Sequence, residues 1–340
     1  MKNIIYFFIV FILLSCNQSP KQFSYIDLSA STPLDSAEVI YTFDDKYPIS
    51  IRLIDSLMFV ILVKSDTCLT VINTNTKEVI ASLGPVGNGP DDLVSPSFIL
   101  STDNPNVLIE DVNLQRIIKI NTDIDSLKLQ DYTQYPESLF GSSELNLSEN
   151  FIVGRKVNPK EKKMFFVYNR NKGTTAEADY FPELNAPLSD YNYTYAPVLA
   201  LNEKQNRVIA GMYFFDLFHV YDLEGSRIKT FCFSENCVPS IKAEAKMLDL
   251  REGYAGIIRA YSTTKYCYLL RVEYKPEYPD GKQKIIQIDW NGKFINSYDF
   301  TDDISGQFYV DEHSNKIYLI RNHMNSEGED LFDIVSYPTN

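Results

Sequence analysis

Three histidines, His219, His313 and His323, are the only imidazoles in the 340-residue chain, and their settings do not suit histidine chemistry. His219 lies in the apolar run Phe218-His219-Val220, His313 in the polar turn Asp311-Glu312-His313-Ser314-Asn315, and His323 after Arg321-Asn322. They form no His-x-x-x-His pair for zinc, and the chain has no Gly-x-Ser-x-Gly elbow to carry a serine nucleophile. A triad assembled from distant loops would leave no spacing to read. Oxygen ligands for calcium leave none either. Calcium therefore stays open as a cofactor with no ligand assigned, and no other cofactor is expected.

The densest cluster of special residues is Leu83-Gly84-Pro85-Val86-Gly87-Asn88-Gly89-Pro90-Asp91-Asp92. Glycines free backbone N–H groups to cradle an anion. A phosphate loop, however, needs Gly-Lys-Ser/Thr before a helix, and Pro90, Asp91 and Asp92 follow here. Gly84, Gly87, Asn88, Gly89, Asp91 and Asp92 thus read as a tight connection between strands, with a binding loop as the alternative. Downstream, Asp111, Asn113 and Arg116 read as a buried turn and ion-pair arrangement between strands. Cys232 and Cys237 are close enough for a local disulfide; the alternative is that they, Cys68 and Cys267 are unpaired buried thiols. Without Cys-x-x-Cys, a structural zinc site is not expected.

The elements that must position these residues come from a repeat. An apolar strand, an Asn or Asp, a polar turn and a second strand recur at Asn73, Asn121, Asn169, Asp222 and Asp289. The intervals are 48, 48, 53 and 67 residues, and a sixth unit reaches Tyr337. Asn, Asp and Gly suit such turns because they tolerate positive φ. Upstream strands include Val107–Glu110, Arg207–Ala210 and Lys316–Ile320. Four short strands in a unit of about 50 residues describe a propeller blade. The fold expected is all-β, a six-bladed β-propeller of four-stranded blades. The strand Ala37–Phe43 has no blade of its own and is expected to complete the last one, closing the ring. Ser240–Leu250 has a helical composition and is expected to be a helical insertion in the long interval.

The N-terminus supplies an address. Lys2 precedes eleven apolar residues, Ile4–Leu14. That run is shorter than the roughly 20 residues a spanning helix needs, and fits a secretory signal. Leu13-Leu14-Ser15-Cys16 resembles a lipobox, the site at which signal peptidase II cleaves before a lipidated cysteine. Residues 1–15 are expected to be the signal peptide, 16–24 a tether anchored to the membrane through Cys16, and 25–340 the propeller. The tether is expected to leave at the seam between the first and last blades.

Two passages carry a family likeness. The Gly84–Asp92 loop resembles that of the TolB-like six-bladed β-propeller lipoproteins common in Bacteroidetes. Asp111-Val112-Asn113-Leu114-Gln115-Arg116 is similar to the blade core of NHL-type propellers. The resemblance implies the fold and brings no reaction with it.

Composition narrows the partners. With 45 acidic against 32 basic residues, the net charge of −13 excludes the basic footprint of a nucleic-acid binder. The 23 Tyr and 21 Phe favour strands. The function expected is a cell-envelope binding or scaffold module for a protein, peptide or glycan, on the periplasm-facing leaflet of the outer membrane. The rival is a divalent-metal-dependent hydrolase or lyase, lactonase-like, using the central channel.

Overall fold

A computed structural model describes residues 23–339 apart from 101–105, 157–162, 185–189, 243–245, 251–252, 301–303 and 305–306. Residues 1–22, with Cys16, lie outside the described residues. Among those described, no helix is long and apolar enough to cross a membrane.

The chain folds into six antiparallel sheets arranged as the blades of a propeller. Blade 1 is Tyr47–Ile54, Leu57–Val63, Thr67–Asn73 and Glu78–Pro85. Blade 2 is Pro96–Phe98, Val107–Asp111, Arg116–Asn121 and Lys128–Gln134. Blade 3 is Ser142–Leu147, Phe151–Lys156, Lys163–Asn169 and Thr174–Asp179. Blade 4 is Pro197–Asn202, Arg207–Met212, Leu217–Tyr221 and Arg227–Cys232. Blade 5 is Tyr254–Ser262, Tyr266–Lys275, Tyr278–Asp289 and Phe294–Asp299. Blade 6 is Tyr309–Asp311, Lys316–Met324 and Asp330–Pro338, completed by Glu38–Phe43. The first strand of each blade lies nearest the axis.

The repeat is a turn device. The side-chain Oδ1 of Asn73, Asn121, Asn169, Asp222 and Asp289 accepts the N–H two residues on, from Asn75, Asp123, Asn171, Glu224 and Asn291. Each bond caps the hairpin into the outer strand, which is why an Asx residue recurs there. No blade buries its own faces. Six apolar clusters fill the six blade junctions instead, from Phe59, Val71 and Ile109 between blades 1 and 2 to Ile40, Met58 and Ile334 between blades 6 and 1.

Glu38–Phe43 pairs antiparallel with Asp330–Pro338 and closes the ring, as expected. Its Ile40 and Phe43 are buried, each stabilising the seam by roughly 1.5–3 kcal/mol. The chain does not, however, enter at that seam. Ser24–Tyr25 runs parallel to the outer strand of blade 4, pairing with Phe231 and Cys232. Thr32–Pro33 does the same on blade 5, against Tyr298 and Asp299. These two outer strands would otherwise leave rows of unpaired N–H and C=O groups, and the N-terminal segment covers them. Blades 4 and 5 therefore carry five strands, and Ser24, expected in the tether, is already part of the sheet.

The helix expected at Ser240–Leu250 is also corrected. Ile241–Lys242 and Met247–Leu248 form a small antiparallel pair, with Ile241 opposite Leu248. The Asp249 N–H donates to Ser240 O at 2.8 Å. Ile241, Leu248 and Leu250 pack onto the core between blades 3 and 4. That burial overrides a composition favouring helix, because propensity is a weak prior.

Candidate functional site

A cavity of about 270 Å³ lies at the propeller axis. Inner strands supply Ser97 and Phe98 from blade 2, Glu144, Leu145 and Asn146 from blade 3, Val198 and Leu199 from blade 4, and Arg259 from blade 5. Glu110 and Arg155 reach it from the second strands of blades 2 and 3, and Gln307 from the approach to blade 6.

Two irregularities shape the lining. The pairing of blade 3's first two strands shifts register between Ser143 and Asn146, and Glu144 there has φ of 57°. The first strand of blade 5 shifts between Ile257 and Arg259. Bulges re-aim side chains and backbone groups. At the first, the N–H groups of Glu144 and Leu145 both turn onto the Glu110 carboxylate, at 3.0 and 3.1 Å. Ser97 Oγ donates to it at 2.8 Å and Tyr135 OH at 3.1 Å. Those four donors favour the carboxylate form, but burial outweighs them and pushes Glu110 up to about 7. The Tyr135 phenol is raised by burial and by facing Glu110.

The cations of the cavity differ in their partners. Arg155 Nη1 pairs with Glu144 Oε1 at 3.0 Å. Arg259 Nη1 donates to the Ile258 carbonyl at 2.7 Å, and Arg259 makes no ion pair among the described residues. Asn146 is only 4% exposed, yet its Oδ1 meets no donor among them. Gln307 Oε1 accepts from Ser50 Oγ at 2.6 Å and so links blade 1 to the lining.

A second cavity, of about 550 Å³, lies beside the start of blade 5 and the loop after blade 4. Its principal cation is closed off: Arg271 binds Asp216 through two bonds of 2.6 and 2.9 Å and also reaches Glu273.

The residues singled out in the sequence lie elsewhere. Gly84–Asp92 connects the outer strand of blade 1 to the inner strand of blade 2, as its strand-connection reading expects. Its anion cradle is filled from within, since Gly89 N–H donates to Asp92 Oδ2 at 2.7 Å. A Cβ on Gly87 would stand 2.3 Å from that oxygen. Gly84 has φ of 64° and abuts Leu93, while Asp91 sits within the turn that Asp92 N–H closes on Gly89 O, and Asn88 just precedes it. Asp111 is fully buried and accepts the N–H groups of Val94 at 2.8 Å, Leu114 at 3.2 Å and Ser95 at 3.4 Å. Arg116 donates to the carbonyls of Pro90 and Asp92. The two residues thus clamp the Gly-rich loop to blade 2. Asn113, expected in the buried arrangement, is exposed at the tip of its turn.

Cys232 and Cys237 are bridged at the end of blade 4, where Tyr25 docks. Cys68 and Cys267 are free and buried, and burial raises both thiols. His219 is fully buried, with Nδ1 2.9 Å from Thr230 Oγ1. Burial, and then the Arg227 charge, lower it to about 3. His313 sits in its turn with its N–H on Asp311, and His323 lies 3.6 Å from Asp333. No group of three His, Cys, Asp or Glu among the described residues is placed to hold a metal.

Sequence reasoning missed Glu110, Glu144, Asn146, Arg155 and Arg259. One signal was available: a charged residue ending an apolar run, as in Val107-Leu108-Ile109-Glu110, Ile152-Val153-Gly154-Arg155 and Gly256-Ile257-Ile258-Arg259.

Six meander blades around a polar axial cavity define a six-bladed β-propeller. The family model described as TolB-like 6-blade propeller-like matches residues 27–313, and the chain belongs to that family. No curated protein matches it. Among solved structures, a member of the DUF4221 family from Bacteroides vulgatus is similar at 14% identity and a TM-score of 0.53, over 91% of this chain and 97% of that one. A calcium-binding protein, regucalcin, from Agrobacterium tumefaciens is 10% identical with a TM-score of 0.39, over 93% and 97%. The first likeness shows the fold alone.

Proposed function

We propose that the chain is a lipid-anchored, non-catalytic binding module of the cell envelope, which holds a protein, peptide or glycan through a group inserted into the axial cavity. The observation that carries this reading is the pair of groups left open there: the guanidinium of Arg259, without an ion pair, and Asn146 Oδ1, without a donor, among the described residues. Buried polar groups are ordinarily satisfied. Open ones around a cavity suit a ligand that completes them. The metal-dependent alternative would bring a divalent cation to a lining in which Glu144 is already paired with Arg155 and the uncompensated guanidinium of Arg259 repels it.

The outer membrane, on its periplasm-facing leaflet, remains the favoured address. A lipid on Cys16 would hold the disc by the rim of blade 4, where Ser24–Tyr25 docks. The reach from Cys16 to Phe23 is at most about 25 Å. Labelling cells with an alkyne fatty acid should mark the native chain and not Cys16→Ala; equal labelling would contradict the anchor.

The binding reading is tested on glycan and peptide arrays with the native chain and with Ala196→Trp, which fills the cavity from blade 4. A ligand held by the first and lost by the second supports it. Ligands retained equally by both would place recognition elsewhere.

A further inference from the structure

The charges around the axial cavity narrow what it would take. Arg155 and Glu144 face each other at 3.0 Å, so the pair adds no net charge. Arg259 remains, with no ion pair among the described residues in a chain that carries 45 acidic side chains. Leaving a partly buried guanidinium without a counter-charge is costly. Asn146 lines the same cavity, its buried Oδ1 without a donor among the described residues, and Ser97 and Gln307 add polar edges.

We propose that the axial cavity binds a hydroxylated monocarboxylate, a uronic acid unit, with its carboxylate on Arg259 and a ring hydroxyl donating to Asn146 Oδ1. The assignment rests on the reading of this cavity as the binding site. Three observations select this class. An arginine fork matches a carboxylate with two parallel bonds. An open amide oxygen calls for a hydroxyl or N–H donor, which a simple aliphatic carboxylate lacks. A volume of about 270 Å³ accommodates one sugar ring.

Charge decides between a monoanion and a dianion. The groups facing Glu110 are Ser97, Tyr135, Glu144 and the two N–H groups of the blade 3 bulge, with Arg155 and Arg259 lining the same cavity. With Glu110 protonated the lining carries one net positive charge, and with Glu110 ionised it carries none. Burial pushes that carboxyl up to about 7, so both forms occur near neutrality. Neither form balances a doubly charged anion. Uronate binding should weaken as the pH rises through 7.

Titration calorimetry at pH 6 on the mature chain tests the proposal. The probes are methyl glucuronide, methyl galacturonide, the matching neutral glucoside and galactoside, and inorganic phosphate. At least one uronide should bind about ten-fold or more tightly than its neutral counterpart, the scale of a lost charged hydrogen bond. Arg259→Gln should bring the two level without lowering the thermal midpoint, and Arg259→Lys should retain part of the difference. Equal binding of uronide and neutral sugar, phosphate binding more tightly than either uronide, or indifference to Arg259→Gln would each overturn the assignment. Silence from every probe overturns it too. If a neutral sugar or phosphate binds and Ala196→Trp abolishes that binding, the carboxylate assignment fails while the axial site stands. Binding that survives Ala196→Trp contradicts the axial site itself.

Discussion

The Gly-rich loop at residues 84–92 and the axial cavity use the same chemistry in opposite ways. Both combine carboxylates, an arginine and freed backbone N–H groups. In the loop these groups answer one another: Gly89 N–H meets Asp92, Arg116 meets the carbonyls of Pro90 and Asp92, and Asp111 gathers Val94, Ser95 and Leu114. In the cavity Glu110 is likewise saturated by four donors, but Arg259 and Asn146 Oδ1 are left open among the described residues. A feature that looks like a binding motif can be a closed structural joint. What sets the cavity apart is that its uncompleted polar groups line a space large enough for a ligand.

Both regions depend on the ring, so the largest effect should come from opening it. Deleting residues 38–43 uncovers the edge of Asp330–Pro338 and removes Ile40 and Phe43 from the seam. The loss should exceed about 5 kcal/mol, comparable with the whole stability of a domain. A cooperative melt at the native midpoint would show that the seam does not close the ring.

Within the closed joint, Asp111→Ala strands three N–H groups of blade 2 and its approach. It should cost about 4 kcal/mol in urea denaturation. A cost below about 1 kcal/mol would mean that the clamp is not what holds the loop.

The saturated acid of the cavity should announce itself through pH. Glu110 is raised from 4.5 to about 7, so the folded chain holds a proton that the unfolded chain has released. Its contribution to stability is complete below pH 4.5 and is lost as the pH rises through 7, by about 3 kcal/mol. His219 acts in the opposite sense. Lowered from 6.5 to about 3, it withdraws stability as the pH falls through that range. Between pH 4.5 and 6.5 the two ramps run against each other and cancel, so together they predict a plateau of stability there, falling off on the acid side through His219 and on the neutral side through Glu110. Glu110→Gln should flatten the neutral side, at a lower absolute level because an amide cannot accept from all four donors. A neutral ramp unchanged by that substitution would assign it to another group.

Gly87→Ala drives a methyl into the Asp92 carboxylate and should cost about 2 kcal/mol. Arg259→Gln is the smallest in stability, within about 0.5 kcal/mol of native. A larger loss on denaturation would make Arg259 a structural residue and erase the contrast.

How much could be read beforehand follows the same division. The blade turns were legible because Asn73, Asn169 and Asp289 act on the residue two positions on, a wholly local bond. The closing strand was legible because Ala37–Phe43 had no blade of its own. The N-terminal lacing of blades 4 and 5 was not, since it rests on parallel pairs between residues more than 200 positions apart. The cavity was not legible either. Glu110, Asn146, Arg155 and Arg259 come from three blades, and two bulges set where they point. Ser240–Leu250 misled because its alanines and lysines favour helix, while Ile241 and Leu248 gain more by packing as a strand pair.

The most direct test of the account measures uronide affinity and urea stability side by side for Asp111→Ala and Arg259→Gln. The account predicts that Asp111→Ala loses stability while its folded fraction binds as the native chain does, and that Arg259→Gln keeps its stability and loses binding about ten-fold or more. The reverse pattern, with Arg259→Gln unstable and still binding, would contradict it.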